Sequence, residues 1–499
     1  EDELWNEFSA AKYQKSLTDN TVIYPIVGIV GQIRAGVGEF AGMRGDKAAQ
    51  DAYIASLSDI STDWYGLMFR NSFSQGHHLS MSGGSDKYTY YISLGLNDEN
   101  GMLIHNDYRR YNFNANINLK PVEWARIDIG AEASRQESSM PYSSVNPFTY
   151  AYFSNPYEKA CNDDGSYAAD RTWFTLGYWN GRGAEQVMPL NGFNILRELD
   201  SNYTDTRNTA VTVRGQLDLR IIEPLHFVGL ASYTYSNNST DKVVNKYTWT
   251  AFNDRLGNDD KSQTNLYGSI SQNRTNRDSY VLRGHFAFNR TFSGIHTLNV
   301  LAGSEIRGAG SNTLFSKRYN YDPKTGTTSL PPISGPSDEW VSEVERLNGQ
   351  YFSESRYASF YASADYYLGK TIVLNASFRT DGSSNFGSKR QFNPTWSAGA
   401  AWHPGEEEWM KRSLPAVSHA TLRAAFGYTG EVNTSTTHLM VIRYLQQQYG
   451  YFGEQTFNLW TLPSAPNPNL GWEKTMDAKA GLDLGLWKER LNVNAEYYY

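Results

Sequence analysis

The most regular array of binding side chains in this sequence is a ladder of four asparagines at alternate positions, Asn112, Asn114, Asn116 and Asn118. Carboxamides donate and accept hydrogen bonds, so they are suited to holding polar ligands or water rather than to breaking bonds. The residues between them are Tyr111, Phe113, Ala115, Ile117 and Leu119. Alternation of this kind places the two sets on opposite faces of a β-strand. Because an asparagine row facing lipid would be prohibitively costly, we expect the ladder to line a wet interior.

Motifs typical of enzymes are missing from the sequence. It contains no HExxH, GxSxG or CxxC pattern. The segment GSSNFGSK at 382–389 is one residue away from a phosphate-binding loop, but Ser388 stands where lysine is required. Its residues are ordinary for a turn between two strands. We therefore expect no enzymatic activity and no cofactor.

Metal-ligating residue types occur without a ligand spacing. His77 and His78 are adjacent, so a strand would point them to opposite faces and they could not chelate one ion from the same side. Acidic clusters at 162–165 and 258–260 fall in long loops and lack the spacing of a calcium-binding loop. We interpret both clusters as solvated turns, with calcium binding as the open alternative, and we expect no transition-metal site.

The elements that would position the asparagines are β-strands. From His77 onward the sequence contains about fourteen runs in which apolar and polar residues alternate. The clearest block is 357–403, where three consecutive runs each have the length that a tilted strand needs to cross a bilayer. The runs predict strands at 77–83, 86–97, 108–120, 124–137, 207–221, 226–237, 280–292, 297–310, 355–368, 371–381, 391–403, 419–429, 473–486 and 490–499.

The connections between these runs alternate between short and long. Outer-membrane barrels have short periplasmic turns and long external loops, whereas a soluble sandwich has no reason to segregate loop lengths. The sequence therefore predicts an all-β protein, a large antiparallel transmembrane β-barrel at 71–499, preceded by a partly helical segment at 1–70. The long external loops are predicted at 138–206, 238–279, 311–354 and 430–472.

Composition is compatible with such a barrel. The mean hydropathy of -0.57 is that of many soluble proteins, but a barrel with a polar lumen gives the same average. Aromatic residues make up 14% of the chain, which suits interfacial girdles. A net charge of -7 without a long basic run argues against a nucleic-acid partner.

The ends of the sequence and its cysteine content add two expectations. Cys161 is the only cysteine, so no intrachain disulfide can form. The sequence has neither an initiating methionine nor a signal peptide, and its last residues stop inside an alternating run. We expect an internal segment of a longer chain.

Several segments resemble one family of membrane proteins. The stretch 356–411, which includes YASADYYLGKTIVLNASFRTDGSSNFGSKRQFNPTWSAGAAW, is similar to the barrel signature of SusC/RagA-like TonB-dependent outer-membrane transporters. Further segments agree in order and spacing: Asp63-Trp64, 79–102, LRAAFGYTGE at 422–431, and 467–499. The resemblance extends from about residue 60 to the end of the sequence.

The resemblance implies an architecture and a set of partners. The expected fold is a 22-stranded barrel closed by an N-terminal plug, of which this segment holds about fourteen strands. The expected location is the outer membrane of a Gram-negative, Bacteroidetes-like cell. TonB would supply energy through a region outside this segment, and a SusD-like surface lipoprotein would help to capture glycans or peptides.

Two sets of candidate site residues follow. Alternation places nine polar residues on the lumen side: Asn112, Asn114, Asn116, Asn118, Arg214, Gln216, Asp218, Asn375 and Arg379. The aromatic-rich long loops supply candidate substrate contacts: Tyr150, Tyr152, Arg171, Trp173, Tyr178, Trp179, Trp249 and Trp340. The alternative for these loop aromatics is that they pack the loops on their neighbours, since a loop this long needs its own core.

The function expected from the sequence is import of a bulky oligosaccharide or peptide across the outer membrane. Two alternatives stay open. One is another TonB-dependent barrel, such as a siderophore or cobalamin receptor. The other is a secreted, β-rich, glycan-binding adhesin, which would be soluble without detergent. Nothing in the loops identifies the nutrient.

Overall fold

The computed structural model describes residues 28–36, 38–170, 193–253, 268–328, 347–431, 438–449 and 455–499. Its main element is an antiparallel sheet of fourteen strands that follow one another in sequence order, with one hairpin set apart. The sheet confirms the predicted fold class. Its strands are β1 (Phe73–Ser85), β2 (Tyr88–Asn100), β3 (Asp107–Val122), β4 (Ala125–Pro141), β5 (Tyr203–Ile222), β6 (Leu225–Val244), β7 (Ser269–Phe292), β8 (His296–Tyr319), β9 (Gly349–Leu368), β10 (Ile372–Ser383), β11 (Phe392–Trp402), β12 (Val417–Glu431), β15 (Glu473–Leu486) and β16 (Leu491–Tyr498).

Each of the fourteen predicted runs corresponds to one strand of this sheet. The largest differences are in β6 to β9, which continue past the predicted runs at their long-loop ends. For example, β7 begins at Ser269 rather than at residue 280, and the added part reads SISQNRTNRD. Both faces of that part are mostly polar, so pairing continues where the apolar alternation has stopped. The connections after β4, β6 and β8 are correspondingly shorter than the predicted loops.

A second, two-stranded sheet lies inside the predicted loop 430–472. It is a hairpin of β13 (Val441–Tyr449) and β14 (Gln455–Ser464). Residues of these two strands do not alternate regularly, because apolar residues are adjacent at 441–442 and glutamines are adjacent at 446–448.

The tightest turns all lie at one edge of the sheet, which also carries the longer connection 403–416 with the helix Glu408–Ser413. In one of these turns Gly369, between β9 and β10, has a φ of 53° that suits a residue without a Cβ. The turn between β15 and β16 instead uses three consecutive non-glycine residues with positive φ, Trp487, Lys488 and Glu489. The opposite edge carries the long connections, as predicted for a barrel with one set of long loops.

Seven helices occur in the described residues, and all lie outside the strands. They are α1 (Gly28–Ala35), α2 (Lys47–Ser56), α3 (Trp64–Met68), α4 (Pro147–Phe153), α5 (Ile195–Ser201), α6 (Trp249–Asn253) and α7 (Glu408–Ser413), with 3-10 turns at Gly38–Met43, Leu57–Asp59 and Pro404–Glu406. Short polar side chains cap four of them; for example, Asp46 accepts a hydrogen bond from Ala49 N at α2, and Asp63 accepts one from Gly66 N at α3. Within the described part of the chain, no helix has the length and apolar character to cross a membrane.

Helices from three separate parts of the chain, which lie before β1, between β4 and β5, and between β6 and β7, share one hydrophobic core at the long-loop edge. Trp64 and Met68 of α3 pack with Tyr150 of α4, Phe193 and α5, and Trp249 of α6. Leu103 and Ile104, between β2 and β3, cover the same core. Hydrogen bonds add to it, since Trp64 Nε1 donates to Asn155 O at 2.9 Å. We call this packed unit the loop core; it joins the β4–β5 and β6–β7 connections to α3 and to the connection between β2 and β3.

Candidate transport wall and loop core

Strand register shows which polar residues share a face of the sheet. Asn116 of β3 lies opposite Gly130 of β4, and Gly130 lies opposite Arg214 of β5. Residues paired across antiparallel strands point to the same side. The Arg214 guanidinium reaches across β4, and its Nη2 donates to Asn116 Oδ1 at 3.1 Å. Gly130 leaves the room for this contact, because a Cβ there would lie 2.5 Å from Arg214 Nε.

The same face can be followed to the later strands. Asn118 pairs with Asp128, which pairs with Gln216. From Gln216 the register passes through Leu230, Arg283, Glu305 and Ser359 to Asp381, two positions from Arg379. All nine residues predicted to face the lumen therefore lie on one face of the sheet. We call this the polar face.

Ion pairs cluster on the polar face. Arg379 Nε lies 2.8 Å from both carboxylate oxygens of Asp381, and its Nη2 donates to Ser359 Oγ at 3.0 Å. Farther along, Arg423 Nη1 lies 2.5 Å from Asp483 Oδ2. The Arg283 and Glu305 side chains are 3.9 Å apart. These pairs hold guanidinium and carboxylate groups in fixed positions on the wall, where each retains spare hydrogen-bonding capacity.

Glu305, Ser359 and Asp381 were not singled out in the sequence. Their signal was the same alternation that identified Arg379, extended across the neighbouring strands. Alternation alone does not show which residues of different strands are neighbours. The strand register does, because it pairs each residue with one on the adjacent strand.

The other face of the sheet is apolar and open. Leu79 is 70% exposed, Leu282 51% and Phe378 47%. Monomeric soluble proteins rarely leave contiguous apolar surfaces of such extent uncovered. We call this the apolar face; its composition is that of a surface made to contact lipid.

Two of the candidate substrate contacts are instead buried in the loop core. Tyr150 is 2% exposed and Trp249 is 5% exposed. The Tyr150 hydroxyl donates to Asp170 Oδ2 at 2.6 Å, and its ring meets Trp64 edge-on at 5.4 Å. Burial, together with Asp170, raises the pKa of Tyr150 well above its usual value. In this structure both residues pack the loops, which is the alternative that the sequence had left open, and neither offers a surface to a ligand.

Tyr152 is the candidate that does lie on the surface. It is 67% exposed and meets Phe153 edge-on at 4.9 Å. Phe148 lies one helical turn earlier and is 60% exposed. Its ring centroid is 6.0 Å from that of Tyr65, in an edge-on arrangement. The remaining candidates, Arg171, Trp173, Tyr178, Trp179 and Trp340, lie outside the described residues.

A buried carboxylate joins two of the long connections. Glu198 of α5 accepts hydrogen bonds from Thr250 N at 3.1 Å and Thr250 Oγ1 at 2.6 Å, and also from Trp249 N. Trp249 and Thr250 form the first turn of α6, whose free N–H groups attract a negative charge. Burial nevertheless raises the pKa of Glu198 above its ordinary value of 4.5, although these hydrogen bonds oppose the shift. Its sequence context, ILRELDS, gave no sign of this role.

The acidic cluster near residue 163 forms a turn. Cys161 and Tyr167 make a β-bridge around it, and Asp164 Oδ1 accepts hydrogen bonds from Ser166 N at 2.9 Å and Ser166 Oγ at 2.6 Å. This geometry agrees with the solvated-turn interpretation. In the described ranges, no group of three or more histidine, cysteine or acidic residues is placed to hold a metal. The second acidic cluster, 258–260, is outside those ranges.

Comparison with known proteins confirms the resemblance predicted from the sequence. The chain is 24% identical over 478 residues to the TonB-dependent receptor SusC of Bacteroides thetaiotaomicron, a match that covers 90% of this chain and 43% of SusC. It is 23% identical over 465 residues to the TonB-dependent receptor P3 of Formosa agariphila, covering 92% of this chain and 42% of that receptor. The chain thus spans less than half the length of the curated relatives it matches. No protein-family model matches it.

Solved structures agree in fold. The RagAB peptide importer in its open-open state matches with a TM-score of 0.63 at 18% identity, covering 88% of this chain and 45% of that one. A second structure, of the RagAB peptide transporter, gives a TM-score of 0.61 with the same identity and coverage. At this identity the likeness establishes the fold alone, that of a large antiparallel β-barrel.

Proposed function

We propose that this chain is a barrel segment of a SusC-like TonB-dependent transporter, which imports a bulky oligosaccharide or peptide across a bacterial outer membrane. The proposal rests on the difference between the two faces of the sheet. The apolar face is open along the strands, and the polar face is lined with polar and charged groups held in place by hydrogen bonds and ion pairs. A sheet with those faces has its apolar side in lipid and its polar side on an aqueous path.

The long-loop edge faces the cell exterior in this proposal. There the loop core holds the connections in place, and Tyr152 and Phe148 present aromatic rings to the outside. Aromatic faces suit both sugar rings and apolar peptide side chains, so they do not distinguish the two nutrient classes. Import changes no covalent bond, and the chain needs no catalytic residue for it.

The proposed partners are a SusD-like surface lipoprotein and the TonB complex. Two of the chain's relatives are named TonB-dependent receptors, and a neighbour of the same fold is a two-component importer, RagAB. The lipoprotein would sit over the long-loop edge. TonB would act through a plug.

Extraction and co-purification of the full-length protein test this proposal. The protein is expected to require detergent for extraction and to migrate differently on a denaturing gel before and after heating. A lipoprotein encoded by the same cell is expected to co-purify from native outer membranes. Release into buffer without detergent would favour the soluble adhesin. A detergent-requiring protein without a lipoprotein partner would favour a receptor of the siderophore or cobalamin type.

A further inference from the structure

The strands of the large sheet differ in how far they reach toward the long-loop edge. β9 begins at Gly349, but its register with β10 begins only at Tyr357, opposite Ser383. On its other side β9 stays paired with β8 as far as Gly349, which lies opposite Phe315. The segment 349–355 therefore has a neighbouring strand on one side only. We call its open side the β9 edge.

The hydrogen bonds of Arg356 show which backbone groups the β9 edge exposes. Arg356 N donates to Ser384 Oγ at 3.0 Å, and Ser384 N donates to Arg356 O at 2.9 Å. Both backbone groups of Arg356 thus point away from β8. Because this direction alternates along a strand, the N–H and C=O groups of Gln350, Phe352 and Glu354 also point away from β8. Among the described residues, none of these groups has a hydrogen-bond partner.

The β9 edge lacks the features that usually protect an exposed strand edge. Such edges commonly carry proline, lysine or a β-bulge. Residues 349–355 read GQYFSES, without proline or lysine, and their register with β8 is continuous. Every residue from Gln350 to Glu354 is exposed. An open edge of this composition is a template for a further strand.

Aromatic side chains lie on both sides of the β9 edge. Tyr351 is 68% exposed and lies on the polar face, where its ring stacks on that of Phe315 with 5.2 Å between centroids. Phe352 is 71% exposed and lies on the opposite side. In a sheet, side chains at neighbouring positions of paired strands contact each other. A strand added at the β9 edge would therefore find an aromatic ring for a side chain on each of its faces.

The length and chemistry of the β9 edge favour a short peptide as its occupant. At ~3.4 Å per residue the segment 349–355 is about 24 Å long, and one further strand adds a width of only ~4.8 Å. A contact of this size falls well short of the roughly 800 Å² per partner that a stable protein interface buries. Alternating N–H and C=O groups at strand spacing are matched by another polypeptide backbone, and sugar rings and acyl chains do not reproduce that pattern.

We propose that the β9 edge binds an extended peptide by adding it to the sheet as a further strand. This inference rests on the proposed import function and narrows its substrate class to peptides. The peptide backbone would pair with Gln350, Phe352 and Glu354. Its side chains on the polar face would lie beside Tyr351, at the beginning of the proposed aqueous path.

Proline substitution at Phe352 tests the backbone pairing. Phe352→Pro removes an N–H that points away from β8, so the sheet loses no hydrogen bond. Phe352→Ala is the matched control, because it removes the ring and keeps the N–H. The full-length protein in detergent is mixed with a peptic digest of casein, and the peptides retained after gel filtration are measured by mass spectrometry.

The wild type and F352A are expected to retain peptides. F352P is expected to retain about tenfold less than F352A, because a peptide carbonyl at the edge loses its donor. The variants Gln350→Pro and Gln350→Ala repeat the comparison at another residue that points the same way. Heat-modifiable migration confirms that each variant is folded.

Three results would overturn the inference: equal retention by the wild type and F352P, equal loss in F352A and F352P, or no retained peptide in the wild type. Loss of a co-purifying lipoprotein in F352P but not in F352A would assign the edge to that partner instead. A wild-type dimer that F352P alone dissociates would assign it to a second copy of the chain.

Each of these results leaves the transporter proposal intact, provided that the protein requires detergent and supports growth on an oligosaccharide. Extraction of the full-length protein without detergent would instead remove the proposed function itself.

Discussion

Glu198 shows how a single buried side chain organises the loop core. Its carboxylate accepts hydrogen bonds from both Trp249 and Thr250, and Asn202 Nδ2 donates to it at 3.3 Å. Replacement by alanine leaves buried donors of α6 unsatisfied. Each such group costs about 1–3 kcal/mol, so Glu198→Ala should weaken the loop core by at least that amount.

Hydrogen exchange with mass spectrometry measures this effect. In Glu198→Ala, amides of 147–153 and 249–251 should lose protection while those of the strands keep theirs. The matched control is Glu223→Gln in a short turn, where the carboxylate is exposed. Unchanged protection of α4 and α6 in Glu198→Ala would show that the carboxylate does not hold these connections together.

The pH dependence of the loop core follows from the same residue. Because burial raises the pKa of Glu198, the folded loops bind its proton more tightly than unfolded loops do. The contribution to stability is fully present below pH 4.5 and is lost as pH rises through the raised value. Protection factors of the α6 amides, corrected for intrinsic exchange, should therefore fall with rising pH. Glu198→Gln should flatten that dependence, and a persisting slope would assign it to another group.

At the residue scale the sequence identified the aromatic loops but not the role of their members. Tyr150 and Tyr152 are two positions apart in α4, yet one is buried and the other is exposed. In a helix, residues two apart lie on different sides, so the distinction depends on which side meets the core. That side is set by Trp64 and Phe193, which are distant in sequence.

At the scale of the strand, neighbouring positions should differ in what they contact. Asn116 is on the polar face and Ile117 on the apolar face of β3. In the full-length protein with Cys161 replaced by serine, Asn116→Cys should react with a water-soluble maleimide in isolated outer membranes. Ile117→Cys should react only with a lipid-soluble reagent. Equal reaction of both with the water-soluble reagent would contradict a lipid-facing apolar side.

The strands of the large sheet could be predicted because lipid and water impose opposite demands on their two faces. The long-loop ends of β6 to β9 were not predicted, because that contrast ends there and both faces of the strands are mostly polar. The hairpin of β13 and β14 was not predicted because its residues do not alternate regularly, and it belongs to a connection rather than to the large sheet. The helices were only partly accessible to prediction. Lys47–Ser56 falls within the segment 1–70, which the sequence predicts to be partly helical, while α4, α5 and α6 are short and are stabilised by the loop core rather than by their own periodicity.

For the whole molecule, the long connections at one edge of the sheet and the tight turns at the other predict which edge faces the cell exterior. Cys161, the only cysteine of the sequence, is exposed in the connection between β4 and β5 at the long-loop edge. A membrane-impermeant thiol reagent should therefore label it in intact cells. With Cys161 replaced by serine, Asp86→Cys in the turn between β1 and β2 should be labelled only after the outer membrane is permeabilised. The reverse pattern would place the short turns outside.

In the proposed import, the arrangement of the sheet, the loop core and the polar face gives the path of the ligand a direction. A ligand would meet the loop core first and then pass along the polar face, where the Arg379–Asp381 and Arg423–Asp483 pairs offer successive hydrogen-bonding sites. The nutrient itself is not encoded in any motif, because recognition by loops depends on a few side chains that sequence patterns do not mark.

The most direct measurement of the central claim is growth of a deletion strain on a panel of purified glycans and peptides as limiting nutrients. We predict that the strain fails on one nutrient class, that the full-length gene restores growth there, and that restoration requires TonB. Undiminished growth of the deletion strain on every member of the panel, in a cell with no second related transporter, would contradict the claim.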